Sequence, residues 1–157
     1  MTRKILLLPA LFAALSVAMA ATAQTAAEDV SRLPLNEFMG HVLQRNAEQL
    51  WVWTAWLIDE KGEHSGRPVT DQQWEEAESD ALTIQQLTYT LQHSTIRIDD
   101  PRWDRHLEGL RAAATASADA AEHKDYDALE RAGEAINDQC IACHLTFAPD
   151  LEAPPPR

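Results

Sequence analysis

Apolar residues recur at helical spacing along most of this chain, and this periodicity constrains its fold more than any other feature. From residue 34 onward they fall every three or four positions, in four segments separated by polar links. Such spacing places apolar side chains on one face of an α-helix. No segment alternates apolar and polar residues as a half-buried strand does. The sequence therefore predicts an all-α fold, an antiparallel four-helix bundle.

Signals at helix ends divide the chain into these segments. Proline is tolerated in the first turn of a helix, and threonine or aspartate can accept hydrogen bonds from the first N–H groups. A polar loop over 59–69, with two glycines and a proline, ends a first helix predicted over 34–58. The predicted helix starts are Pro34, Thr70, Asp100 and Asp125. The predicted inward stripe of the first helix is Leu35, Met39, Val42, Asn46, Leu50, Trp53 and Leu57.

The first 23 residues have the composition of a secretory signal peptide. Arg3 and Lys4 precede an apolar run over 5–20, and small residues follow in an A-x-A pattern. The run is shorter than the roughly 20 apolar residues that span a bilayer. No cysteine lies nearby for a lipid anchor. The sequence thus predicts a signal peptide over 1–23, one domain over 24–157, a periplasmic location and no stable membrane anchor.

The chain is strongly acidic, with a formal net charge of −12. Removal of the predicted signal peptide takes away two basic side chains and no acidic one, and so makes the charge more negative. Such a surface repels nucleic acid, and it attracts a basic partner or simply acts as a solvated coat. We therefore expect no nucleic-acid partner, and a basic partner protein is one of two open interpretations.

The segment Cys140-Ile141-Ala142-Cys143-His144 has the C-x-x-C-H pattern of covalent haem attachment. On a helix, positions i, i+3 and i+4 share a face. Two thiols can therefore reach the two vinyl groups at one porphyrin edge while the imidazole reaches the iron. Export agrees, because this attachment is made outside the cytoplasm. The sequence predicts one covalently attached haem c, with thioethers at Cys140 and Cys143 and with His144 as an iron ligand.

Two other interpretations of the cysteine pair stay open. A disulfide or a redox-active dithiol can form in an oxidising compartment, but thioredoxin-like motifs open a helix after a strand, whereas this pair lies near the end of a predicted helix. A zinc site needs further ligands, and the chain has no other cysteine. The helical register and the signal peptide together favour haem.

From about residue 33 to 147, the chain resembles the cytochrome c′ superfamily, the class II c-type cytochromes, in its four predicted helices and in a C-x-x-C-H motif at the end of the last one. The resemblance implies that the first helix lines the haem face opposite His144. A methionine there would be the sixth iron ligand, whereas an aliphatic residue would leave five-coordinate iron that binds nitric oxide or carbon monoxide. One departure follows the motif, where 145–148 lack the basic residue common in the family.

The resemblance also implies a homodimer through the first two helices. In the predicted first helix, Trp51, Val52 and Trp56 lie off the inward stripe, which is compatible with such a contact. The five tryptophans of the chain are otherwise explained by packing around a large flat cofactor.

Met39 is the only methionine outside the predicted signal peptide, and it falls on the inward stripe of the first helix. A thioether ligand raises the haem potential and fills the sixth site, which favours electron transfer over gas binding. A methionine in an apolar stripe can also simply fill the core. His41, the rival ligand, lies about 200° around the helix and should face solvent. The sequence thus predicts Met39 as the distal iron ligand.

These observations predict an electron carrier, not an enzyme, that exchanges single electrons with a basic redox partner. The alternative is a five-coordinate haem protein that binds nitric oxide or carbon monoxide. A peroxidase is disfavoured, because it needs distal acid–base groups and the inward stripe offers only Asn46. Two arginines, Arg111 and Arg131, are weak candidates to pair with the haem carboxylates. The histidines predicted to lie on the surface are His64, His93, His106 and His123.

Overall fold

Four helices account for most of the residues described in this computed structural model, which are 33–60 and 62–151. Helix α1 (35–52) has three parts, whereas α2 (Asp71–His93), α3 (Pro101–Glu122) and α4 (Tyr126–Phe147) are regular. A 3₁₀ turn, Pro149–Leu151, follows α4. The helices pack in the pairs α1–α2, α2–α3 and α3–α4. The prediction of a mainly helical chain is confirmed, and the predicted signal peptide over 1–23 lies outside the described residues.

The helix starts predicted from capping residues are confirmed. The Gln73 N–H donates to Thr70 Oγ1 over 3.2 Å, and the Thr70 N–H donates to Gln73 Oε1 over 3.1 Å, which is a capping box at the start of α2. At the start of α3, the Arg102 N–H donates to the Asp100 carboxylate over 2.8 Å. Asp125 accepts in the same way from an N–H in the first turn of α4. These contacts are local, so the sequence alone specifies them.

A π-helical turn in α1 changes the register of its buried face. The first helix consists of Leu35–Glu37 (α), Phe38–Leu43 (π) and Gln44–Val52 (α). Within it the Gln44 N–H donates to the Met39 carbonyl, five residues back. The inserted residue moves the buried positions from the predicted Val42 and Asn46, which are half-buried, to Leu43 and Ala47. Leu50 and Trp53 are buried as predicted, and Phe38 is buried as well.

The prediction that the first helix continues to residue 58 is wrong. The helix ends at Val52, and an antiparallel hairpin follows, formed by β1 (Trp56–Asp59) and β2 (Gly62–Ser65). Gly62 has a φ of +94°, a conformation that suits glycine in a tight hairpin turn. Gly66 lies against the Val52 carbonyl, where a Cβ atom has no room. This close approach holds the hairpin against the end of α1.

The hydrophobic core consists of two clusters of buried residues, and the larger one extends into the C-terminal half of α4. Its main cluster takes buried residues from all four helices, among them Leu50, Ile84, Leu107 and Ile136. A second cluster contains Trp53, Trp74 and Leu129, of which Leu129 lies near the start of α4. Beside the main cluster lie four partly buried side chains that matter for the site. They are Met39, Cys140, Cys143 and Phe147.

A partly buried hydrogen bond joins the end of α1 to α2. The Trp53 indole N–H donates to Asp80 Oδ2 over 2.7 Å. Burial raises the pKa of the half-buried Asp80 carboxyl above its usual value of 3.8; the Trp53 hydrogen bond opposes this shift, and the nearby Glu76 charge adds to it. The folded state therefore binds this proton more tightly than the unfolded state. The protonated Asp80 carboxyl contributes its full stabilisation below its pKa in the unfolded state. This stabilisation is lost as the pH rises through its pKa in the folded state.

We expect Asp80→Asn to remove this loss, because the amide oxygen still accepts from Trp53 and carries no charge. The free energy of unfolding of D80N, relative to that of the unaltered protein, should increase between about pH 3 and pH 6. Urea denaturation followed by circular dichroism at several pH values measures this difference. Glu75→Gln, at an exposed carboxylate on the same helix, is the control. A D80N difference that stays constant with pH would contradict the assignment.

Candidate functional site

A cavity of about 660 Å³ lies between α1 and the C-terminal half of α4. Cofactor sites typically have volumes of about 300–1,000 Å³ and mainly apolar walls. Leu35, Leu43 and Ala47 supply apolar side chains from α1, and Trp103 and Phe147 supply rings from α3 and α4. The two rings meet edge to face, with centroids 5.3 Å apart. The cavity is therefore large and apolar enough for a flat organic cofactor.

The motif side chains converge on one wall of this cavity. Cys140, Cys143 and His144 all line it, and all three also line an adjoining void of about 30 Å³. Each is half-buried. The structure thus brings together the three residues that the helical spacing places on one face. Their covalent attachment to haem and ligation of iron stay predictions.

The surroundings of Cys143 change the acidity of its thiol. Burial raises the pKa of the Cys143 thiol to about 11. The attacking cysteine of a redox dithiol has a lowered pKa instead, because the thiolate is the nucleophile. At neutral pH Cys143 is therefore protonated, and a redox dithiol here would need Cys140 as its attacking thiol, so the dithiol interpretation stays open.

Met39 lies across the cavity from the motif, in the π-helical turn of α1. It is half-buried and lines both the cavity and the small void, together with the three motif residues. π-Helical segments are rare and occur frequently at functional sites. The side chain of the rival, His41, is 78% exposed, with its Nε2 3.4 Å from the Glu37 carboxylate. His41 therefore faces solvent as predicted, while ligation by Met39 stays a prediction.

Gly40, the residue after Met39, also lines the cavity and is exposed. Apart from its chain neighbours and its own helix backbone, a Cβ atom added to it would meet no atom within 4 Å. The edge of the cavity is therefore open at this position.

His106 is the residue near the site that sequence reasoning missed. It is half-buried and lines the small void, with its Nε2 3.2 Å from Thr146 Oγ1 and its ring edge-on to Phe147 at 5.9 Å. The prediction that it lies on the surface depended on its charged neighbours in sequence, and it is wrong. The apolar stripe of α3 could have indicated its inward position, since His106 lies three residues after Trp103. The remaining histidines, His64, His93 and His123, line neither space.

Trp51 contributes an aromatic ring and a buried donor to the same region. It is half-buried and lines the cavity, and its indole N–H has no hydrogen-bond partner among the described residues. A buried donor without an acceptor costs about 1–3 kcal/mol, so it calls for an explanation. The predicted dimer contact does not explain this buried donor. Trp51 lines the cavity and Trp56 belongs to β1, so the two residues do not lie on one outer face of a helix.

Neither of the two arginines considered for haem carboxylates lines the cavity. Arg111 donates to Thr88 Oγ1 over 2.9 Å and to Gln92 Oε1 over 2.6 Å, and its guanidinium lies over the Tyr89 ring at 3.9 Å. Arg131 is exposed on α4. Among the described residues that line the cavity, none is a lysine or an arginine.

The described residues were also considered as metal ligands and as membrane spans. Within 33–60 and 62–151, no group of three or more His, Cys, Asp or Glu side chains is placed to hold a metal ion by itself. The zinc alternative thus lacks a ligand set in that part of the chain. In the same two ranges, no helix has the length and apolar character to cross a membrane.

No family model, curated protein or solved structure matches this chain. Its function therefore has to be inferred from the chemistry of the cavity.

Proposed function

We propose that this protein is a periplasmic c-type cytochrome that transfers single electrons. One observation carries the proposal. Cys140, Cys143 and His144 line one wall of a 660 Å³ apolar cavity, and the only methionine outside the predicted signal peptide lines it as well, from α1. Two thiols, an imidazole and a thioether are the donor set of a covalently attached haem with two axial ligands.

The residues present fit this group. A thioether forms when a thiol adds across a vinyl group and the thiol proton passes to carbon, so Cys140 and Cys143 need no further reactant. The volume of the cavity and its apolar walls, which include the rings of Trp103 and Phe147, suit a large planar ring. When bound, haem supplies an iron that alternates between two oxidation states one electron apart.

The side chains of the cavity have distinct roles in this proposal. Cys140 and Cys143 fix the cofactor permanently to α4. His144 ligates the iron from the same helix, and Met39 ligates it from α1. A thioether ligand favours the reduced state and raises the potential. The apolar walls limit access of water, which also affects the potential.

The proposal extends to the arrangement of the helices, the cellular location and the redox partner. The pairwise packing of α1–α2, α2–α3 and α3–α4 is compatible with an antiparallel four-helix bundle like that of the class II cytochromes. We propose that residues 1–23 are the signal peptide and that the acidic surface, with a formal net charge of −12, attracts a basic redox partner.

Gas binding is the second candidate, because a methionine in an apolar wall can fill space without ligating iron. Met39 lines a cavity with mainly apolar walls, which agrees with that role as well. If Met39 only fills space, the iron is five-coordinate, and nitric oxide or carbon monoxide can occupy the sixth position.

Optical and near-infrared magnetic circular dichroism spectra of the haem-loaded protein test the proposal. We expect low-spin iron in both oxidation states, a sulfur-to-iron charge-transfer band in the ferric protein, and a redox titration that fits one electron. High-spin ferric iron together with a ferrous carbon monoxide adduct would favour the gas-binding candidate. Protein without covalent haem, from a host that matures another c-type cytochrome, would exclude both.

A further inference from the structure

The described lining of the cavity reaches the surface of the protein along one side of α1. Asn36, Gly40 and Gln44 line the cavity and are exposed, whereas the other described lining residues are buried or half-buried. These three residues lie four positions apart, and residues with this spacing are neighbours on one side of a helix. We call them the α1 mouth. A cofactor in the cavity therefore comes close to solvent at the α1 mouth.

Gly40 lies in the middle of the α1 mouth, and the described fold does not require a glycine there. It lacks the positive φ of Gly62. A Cβ atom at Gly66, Gly109 or Gly133 would meet another part of the chain, but one at Gly40 would meet no atom within 4 Å beyond its chain neighbours and its own helix backbone. Glycine inside a helix is less favourable than alanine, because it loses more conformational freedom on folding. Gly40 thus lowers the stability of α1 without a packing contact in return.

The two amide side chains of the α1 mouth are joined to neighbours on the same helix. Asn36 Nδ2 donates to the Glu37 carboxylate over 3.2 Å, and Gln44 Nε2 donates to the Glu48 carboxylate over 3.0 Å. Both hydrogen bonds connect residues of α1 with each other. Between these two side chains, Gly40 is the position of the α1 mouth that has no side chain.

We propose that electrons enter and leave the haem at the α1 mouth, and that Gly40 keeps the haem edge uncovered there. This inference rests on the proposed function, because it needs haem in the cavity. The rate of electron transfer falls steeply with the distance between donor and acceptor. A side chain at position 40 adds to that distance, whereas glycine lets a reactant approach the rim of the cavity. The reaction thus explains a glycine that the packing of the helix does not.

Gly40→Ala and Gly40→Phe in the haem-loaded protein test this inference. The probe is hexaammineruthenium, a small complex whose divalent form gives one electron to the ferric protein and whose trivalent form takes one from the ferrous protein. Stopped-flow absorbance measures the second-order rate constant in the direction that proceeds. We expect this rate constant to fall slightly in G40A and severalfold in G40F. The reduction potential and the absorption spectrum should stay unchanged, because neither variant removes an iron ligand.

Gln49→Phe is the matched control for Gly40→Phe. Gln49 is exposed on the same helix, carries no charge and does not line the cavity. The same aromatic ring at this position should leave the rate constant unchanged, because it covers no part of the α1 mouth.

Urea denaturation of G40A gives a second measurement, which stands alone if G40F does not retain haem. Alanine favours a helix more than glycine does, so G40A should raise the folding equilibrium constant about two- to fivefold. A lower folding equilibrium constant would show that the fold itself requires a glycine at position 40, and it would overturn the inference. Equal rate constants for G40F and Q49F would overturn it as well. Unaltered protein without haem would overturn the proposed function itself.

Discussion

Replacing Cys140 and Cys143 together by serine is expected to leave the protein without covalently bound haem. The chain contains no other cysteine, so no other thiol can form a thioether. The unaltered protein should keep its haem through denaturation, because a thioether does not depend on folding. Intact mass and haem staining after denaturing electrophoresis measure this difference. Each single variant should retain one thioether.

Ile141→Ser is the matched control for the double variant. Ile141 lies between the two cysteines, is 38% exposed and does not line the cavity. The hydroxyl it gains should leave haem attachment complete. Full attachment in the double serine variant would show that the cysteines do not carry the cofactor. A haem-free unaltered chain with Cys140 and Cys143 joined in a disulfide would instead support the dithiol alternative.

The parts of the fold that local contacts decide could be predicted from the sequence. Thr70, Asp100 and Asp125 cap the helices that follow them, because each side chain reaches an N–H two or three residues away. The starts of α2, α3 and α4 therefore followed from a few residues each. No long-range contact was needed for them.

The middle of α1 and the hairpin could not be predicted in this way. The five-residue step from Phe38 to Leu43 interrupts the inward stripe, and a periodicity of 3.6 residues does not contain it. The stripe was predicted to continue to Leu57 on a helix, yet Leu57 lies on β1, between Trp56 and Ile58, which are 71% and 83% exposed. Their place depends on the close approach of Gly66 to the end of α1, which is a tertiary contact.

In the candidate site, too, the residues that a single helix positions could be predicted from the sequence, and the others could not. The spacing within α4 sufficed to place Cys140, Cys143 and His144 on one face, since a single helix determines it. Met39 and His41 were also assigned correctly to the inner and outer sides of α1, because both lie only a turn from its start. Trp51 and His106 needed the packing of separate helices. No local pattern shows which helix completes the cavity.

Met39→Ala is expected to change the spin state of the iron. Alanine has no donor atom, so the sixth position loses its protein ligand and the ferric iron becomes high-spin. The sulfur-to-iron charge-transfer band should disappear completely. The reduction potential should also fall, because the thioether no longer stabilises the ferrous state. Near-infrared magnetic circular dichroism and a redox titration measure the two effects.

Leu35→Ala is the matched control for Met39→Ala. Leu35 lies one turn before Met39, is also half-buried and lines the same cavity, but it has no donor atom. Its truncation removes apolar contacts from the same wall and should leave the low-spin spectrum in place. If Met39→Ala and Leu35→Ala have the same small effect on a spectrum that is high-spin from the start, Met39 only fills space. The gas-binding candidate would then take the place of the electron carrier.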